Sequence, residues 1–156
     1  MPLVPAPFLD DIAYGPDGGA AYWLHTSDNV KIRVGHWPLD AAKGSVLIFP
    51  GRTEFIEKYG QSAAHVADRG FASLAVDWRG QGLAERLLDN PLIGHVNQFS
   101  DYQKDVAALI RAARELNLPR PFYLLAHSMG GAIGLRVAIE GLAVKAVAFS
   151  GPMWGI

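Results

Sequence analysis

Four short apolar runs recur along the chain: SVLIF at 45–49, FASLAV at 71–76, FYLLA at 122–126 and VKAVAFS at 144–150. Each is almost continuously hydrophobic and ends in polar, Gly or Pro residues, a pattern that predicts parallel strands covered on both faces. Between them the apolar positions change to helical spacing. Tyr102, Val106, Leu109, Ile110, Ala113 and Leu116 keep a period near 3.6, which predicts a helix over 101–116. Ser100 and Gln103 have capping-box spacing at its start, and Asn117 and Pro119 mark its stop. A second helix is expected from about Tyr59 to Arg69, with Ala63, Val66 and Ala67 inward and Gly70 in the left-handed position beyond its end. A third follows Ser128 to about Glu140 and stops at Gly141. Ahead of these, AAYWLHT at 20–26 and VKIRVGHW at 30–37 flank the turn-forming SDN and read as an antiparallel hairpin. The alternation of strand and helix from residue 44 onward predicts an α/β fold, a mostly parallel sheet with helices on both faces.

Composition narrows the function classes. A chain of 156 residues, half of them hydrophobic and 19% charged, has the balance of one globular domain with a real core. Its 14 basic and 15 acidic side chains are mixed along the chain, so no electrostatic footprint for nucleic acid or an anionic membrane stands out. The lack of cysteine excludes disulfides, thiolate metal sites and a cysteine nucleophile, and fits a reducing compartment. His25, His36, His65, His95 and His127 show no metal-ligand spacing, so neither a metal nor another cofactor is expected. The opening MPLVPAPFLDDIAYGPDGG has several prolines, no basic start and no continuous apolar core. Residues 1–20 are therefore expected to form an irregular arm, neither a signal peptide nor a spanning segment. The expected location is cytoplasmic, at most peripheral to a membrane.

The candidate chemistry centres on AHSMGG at 126–131. A buried strand ends at Ala126 and a helix begins just after Ser128. So tight a strand-to-helix turn forces its middle residue into a strained conformation and exposes it at the carboxyl edge of the sheet, the geometry of a nucleophile elbow. Ala126 and Gly130 meet the demand for small neighbours, although the common pattern is G-x-S-x-G and Ala126 departs from it by one methyl. The helix N-terminus also favours negative charge developing beside Ser128. The competing explanation is that Ser128 is simply an N-cap. His127 should point away from the serine and serve a structural purpose.

Two further loops follow strands. FPGRTEFIEKYG at 49–60 could supply the N–H of Arg52 to an oxyanion, with Gly51 permitting the tight turn and the N–H of Met129 as second donor. It could equally be a solvated turn, and it lacks the ending of a phosphate loop. DWRGQG at 77–82 has two glycines spaced as in a dinucleotide fingerprint, but no third glycine and no helix directly after them.

In this order FPGRTEFIEKY, DWRGQG, GHVNQFSDY, LAHSMGGAI and the terminal GPMWGI resemble the α/β-hydrolase fold, specifically the lysophospholipase and monoacylglycerol-lipase group of serine hydrolases and its lysophospholipase L2-like branch. Ala126 matches that branch. The likeness runs from about residue 44 onward. It implies Ser128 as nucleophile, the backbone N–H groups of Arg52 and Met129 as oxyanion donors, and a lipid-like or small ester substrate. It also implies that the acid, the histidine and a lid follow residue 156. Residues 21–156 are then the N-terminal part of a hydrolase domain, truncated after the sixth strand. An alternative is a short product that acts without catalysis, as a binding module or half of an assembly. Either way, the last strand is expected to be an open edge, and the face beside the helix at 59–69 to be partly bare, which favours self-association.

Overall fold

A computed structural model describes residues 3–155; Met1 and Pro2 of the expected arm, and Ile156 of GPMWGI, lie outside the described residues. The elements are β1 (Val4–Ala6), α1 (Asp10–Ala13), β2 (Ala20–His25), β3 (Lys31–Trp37), β4 (Ser45–Phe49), a 3-10 turn (Ile56–Tyr59) leading into α2 (Gly60–Ala67), and β5 (Ala72–Asp77). A second 3-10 turn (Phe99–Asp101) enters α3 (Tyr102–Glu115), and β6 (Phe122–His127), α4 (Met129–Ile139) and β7 (Val147–Ser150) follow. The strands form one sheet in the order β1-β2-β3-β5-β4-β6-β7. β5, β4, β6 and β7 are mutually parallel, and β3 is antiparallel to β5. Since β2 is antiparallel to β3, it runs with the parallel set, and only β1 and β3 oppose it.

The period-two alternation of each central strand divides its side chains between two cores. Leu47, Phe49, Leu74, Val76, Leu124 and Ala126 pack against α3 and α4 through Val106, Leu109, Ala113, Met129 and Ile133. Ile48 and Ala75 face the other way, onto Trp37, Ile56, Tyr59 and Ala63. Continuous apolar runs are therefore what this sheet requires, with helices on both faces.

Three expectations need correction. The arm is not irregular throughout: β1 pairs with β2, placing Val4 opposite Trp23, and α1 follows. The reason is long-range, since Arg33 donates to the Pro7 carbonyl, the Leu9 N–H donates to Glu57, and Phe8 meets Trp37 edge-on. The sheet thus has seven strands among the described residues. The capping interaction lies two residues earlier than Ser100 and Gln103, where the Asp101 carboxylate accepts the Gln98 N–H at 3.2 Å and also pairs with Lys104 at 2.8 Å. An ionised acceptor is the stronger cap. Finally, β7 begins at Val147 rather than 144, because residues 142–144 close the turn after α4 through Leu142 N–H to Val137 O and Val144 N–H to Leu142 O.

A buried ion cluster ties the layers together. The Arg33 guanidinium donates to Asp77 at 2.8 Å and to both Glu57 oxygens at 2.9 and 2.8 Å. Asp77 also accepts the N–H of Ile56 at 2.8 Å and of Leu83 at 2.9 Å. Burial pushes the Asp77 carboxyl up, and Arg33 with the two N–H groups pulls against that rise. Removing one partner from such a cluster strands the others without water. Asp77→Ala is expected to cost about 3–5 kcal/mol in urea unfolding. Glu140→Ala, which deletes the exposed pair between Arg136 and Glu140 at the end of α4, is expected to cost less than about 0.5 kcal/mol by the same measurement.

Candidate active site

β4 and β6 are adjacent parallel strands with Phe49 opposite Ala126. The segments leaving their carboxyl ends, residues 50–53 and 127–128, therefore emerge side by side. Ser128 joins β6 to α4 with φ 49° and ψ −118°, a conformation that side chains other than glycine rarely adopt. Its N–H donates to Ser150 O at 3.0 Å, and its carbonyl accepts from Gly131 at 2.9 Å and from Met153 at 3.0 Å. The half-buried Ser128 occupies the N-cap position, yet its hydroxyl makes no capping hydrogen bond. The interaction that would justify a serine as a cap alone is missing.

The small residues around the turn have steric causes. A Cβ on Gly130 would lie 2.1 Å from Phe49 O and 2.6 Å from Pro50 O, so the start of α4 can pass β4 only at a glycine. Ala126 is fully buried, and its methyl faces Gly134, where an added Cβ would come within 3.2 Å of it. A glycine one turn along α4 thus accommodates the extra methyl that separates AHSMG from G-x-S-x-G.

The loop after β4 abuts this turn: a Cβ on Gly51 would be 3.1 Å from Ser128 Cβ. Three of its N–H groups are taken up by side chains. Gly51 donates to Glu54 Oε2 at 2.6 Å, Thr53 to Gln81 Oε1 at 2.7 Å and Ile56 to Asp77 Oδ1 at 2.8 Å. The N–H of Arg52 has no partner among the described residues. Met129, as the first residue of α4, has no intrahelical acceptor for its own. Burial alone would raise the Glu54 carboxyl, but Lys58, Tyr59 and the Gly51 N–H hydrogen-bond to it and hold it below its ordinary value. Burial, reinforced by Glu54, pushes the Tyr59 phenol well up.

His127 turns away from the serine hydroxyl. Its Nδ1 lies 2.9 Å from Ser150 O, and its Nε2 lies 3.9 Å from Glu54 Oε1. Among the described residues no histidine is hydrogen-bonded to the Ser128 hydroxyl. An apolar groove of about 410 Å³ runs along α4 beyond the elbow, lined by Ala132, Leu135, Ile139, Met153 and Trp154 and by the charged Arg136 and Glu140, with none of Ser128, Met129 or Arg52 in its wall. The Met153 N–H bonded to Ser128 O fixes one wall of that groove to the turn.

The stretch DWRGQG is a latch, and no helix opens after it. Asp77, Arg79 and Gln81 are all buried. Asp77 joins the ion cluster, Arg79 pairs with Asp28 and Asp105, and Gln81 holds Thr53. A Cβ on Gly82 would lie 2.2 Å from the Asp77 carboxyl, so the second glycine makes room for that group rather than for a pyrophosphate. Sequence reasoning missed Glu54, Asp77 and Gln81. For Asp77 and Gln81 the available signal was a polar residue at every second position from the end of β5 onward.

Residues 40–156 match the family model described as serine aminopeptidase, S33. The chain belongs to that family of α/β hydrolases. It is 39% identical over 130 residues to lysophospholipase L2 of Escherichia coli (strain K12), a match covering 83% of this chain and 38% of that protein. The chain therefore spans well under half the length of this relative. A carboxyl esterase from Bacillus coagulans aligns with TM-score 0.73 at 18% identity, over 87% of this chain and 45% of that one. A soluble variant of monoglyceride lipase from Saccharomyces cerevisiae aligns with TM-score 0.65 at 24% identity, over 83% and 45%. At those identities the two structures show the fold alone.

The backbone at Ser128 is expected to store about 1–3 kcal/mol of strain. Glycine relieves it, less about 0.5–1 kcal/mol for the freer unfolded chain. Ser128→Gly should therefore be about 1 kcal/mol more stable than Ser128→Ala in thermal or urea unfolding, although both lack the hydroxyl.

Proposed function

We propose that this S33-family chain carries the nucleophile and the oxyanion donors of a carboxylic-ester hydrolase acting on a lysophospholipid or monoacylglycerol. The observation that carries the reading is the pairing at one sheet edge of an unbonded serine hydroxyl, on a strained turn, with a loop whose neighbouring N–H groups are taken up while that of Arg52 is free. Ser128 Oγ attacks the ester carbonyl carbon as its proton passes to a histidine, and the N–H groups of Arg52 and Met129 receive the oxyanion. Collapse of the tetrahedral intermediate expels the alcohol, protonated by the same histidine. Water then attacks the acyl-enzyme, releasing the fatty acid and restoring the serine. The base comes from outside residues 1–156, since no histidine of the described residues meets Ser128.

The substrate class rests on the likeness to lysophospholipase L2, and the largely apolar groove along α4 offers a surface for an acyl chain. No helix of the described residues is long and apolar enough to cross a membrane. The proposed meeting with lipid is at a surface, from the cytoplasmic side. Self-association is part of the same reading. β7 pairs only with β6 among the described residues, and an apolar groove lined by Val46, Val66, Phe71, Tyr123, Leu125 and Val147 lies open between α2 and that edge.

A fluorophosphonate probe applied to the full-length protein should label Ser128 and leave Ser128→Ala unlabelled; equal labelling of both would remove Ser128 from the mechanism. Residues 1–156 alone should turn over a short-chain p-nitrophenyl ester at about 10⁻⁶ of a complete triad's rate, the cost of a missing base. The same preparation should sediment as oligomers. A monomer with robust, Ser128-dependent turnover would refute the divided-site reading.

A further inference from the structure

We propose that Gln81 and Glu54 are positioning residues of the oxyanion loop, holding Thr53 and Gly51 on either side so that the Arg52 N–H between them is presented to the reacting carbonyl. The inference rests on the ester-hydrolase reading and adds two side chains that touch neither substrate nor nucleophile.

The loop cannot hold its shape by backbone pairing alone. Thr53 has φ 61°, in the left-handed region where a β-branched residue is a true outlier, and such a residue persists only when its surroundings over-determine it. Gln81 supplies that restraint, with Oε1 accepting the Thr53 N–H at 2.7 Å. The glutamine is 3% exposed, and its Nε2 finds no hydrogen-bond partner among the described residues. A buried amide whose nitrogen makes at best a loose approach to the Tyr102 hydroxyl is a poor choice for packing, and its well-made hydrogen bond is the one through its oxygen. The position is also sterically cleared for it, since a Cβ on Gly94 would lie 2.5 Å from that Nε2.

Glu54 restrains the other side. Its Oε2 accepts the Gly51 N–H at 2.6 Å and the Tyr59 hydroxyl, while Oε1 pairs with Lys58. The carboxylate is thus pinned by the entry turn of α2, and its charge is met by an ammonium rather than left facing a developing oxyanion. With both neighbours bound, Arg52 N–H cannot rotate away, and an oxyanion donor that needs no reorganisation during reaction is the one that accelerates it.

The test compares Gln81→Met, Glu54→Leu and Glu54→Gln with the wild-type full-length protein. The readouts are the second-order rate of fluorophosphonate labelling at Ser128, kcat and KM for a p-nitrophenyl ester, and amide hydrogen exchange at Gly51 and Thr53. A donor displaced by about 1 Å loses about 10²-fold. Gln81→Met and Glu54→Leu should therefore lower kcat and the labelling rate about 10- to 100-fold, with KM changed less than about twofold. Exchange should quicken at Thr53 in Gln81→Met and at Gly51 in Glu54→Leu. Glu54→Gln keeps an oxygen for Gly51 and should stay within about threefold of wild type. A purely structural role would lower the folded fraction without this split between kcat and KM. If Gln81→Met does not fold, Gln81→Asn withdraws the oxygen by one methylene and is read in the same way, alongside the Glu54 pair. Wild-type rates in Gln81→Met and Glu54→Leu, with Ser128→Ala unlabelled, overturn this inference and spare the hydrolase reading. Labelling of Ser128→Ala, or none of the wild type, overturns the hydrolase reading and this inference with it.

Discussion

The Asp77 carboxylate, fully buried at the carboxyl end of β5, is the constraint on which the rest of the molecule depends. An ionised group there must be met from every side, and the donors that meet it come from distant parts of the chain: Arg33 on β3, the N–H of Ile56 at the entry to α2 and the N–H of Leu83 in the following loop. Arg33 in turn binds Glu57 and the Pro7 carbonyl, which draws the N-terminal arm onto the sheet. Clusters of this kind add little net stability relative to an apolar core, but they punish any arrangement that leaves a member unpaired. The consequence is specificity: β3, β5, the arm and the loop before α2 have one mutual arrangement that satisfies all of these groups.

From that frame the strain of the site becomes affordable. Ser128 and Thr53 both have positive φ, neither is glycine, and each is held by hydrogen bonds, Thr53 by the buried Gln81 and Ser128 by Ser150 O, Gly131 N–H and Met153 N–H. Local preference is violated where the surrounding structure over-determines the backbone, and both violations fall at one edge of the sheet. Phe49 and Pro50 carbonyls pressing on Gly130 give the elbow its shape on one side, and the Ser150 carbonyl fixes it on the other.

What could be read from sequence was whatever depends on neighbours in the chain. The apolar runs marked β4, β5 and β6 within a residue or two, because a strand buried on both faces can carry little else. The serine between an apolar run and two glycines marked the strand-to-helix turn. Features that depend on partners far away were not legible. Val4–Ala6 becomes a strand only because β2 and Arg33 receive it. Asp77, Arg79 and Gln81 offered only a weak dinucleotide hint, since Arg33, Asp105 and Thr53 stand 44, 26 and 28 residues from them. The cap at Asp101 was misplaced because two acceptors of similar spacing compete there, and charge decides between them.

The parts of the candidate site differ in physical origin. Register between β4 and β6 sets Phe49 opposite Ala126, and from that single pairing Gly51 and Ser128 must emerge together. The hydroxyl and the two open N–H groups are thus properties of the sheet edge, assembled wherever that edge folds. A general base is not determined by this register. His127, the nearest histidine in sequence, is directed by the alternation of β6 to the opposite side, toward Ser150 and Glu54. In the proposed mechanism the proton acceptor must therefore arrive on a separate segment, which needs to match a nucleophile and an oxyanion pocket already set by β4, β6 and their loops.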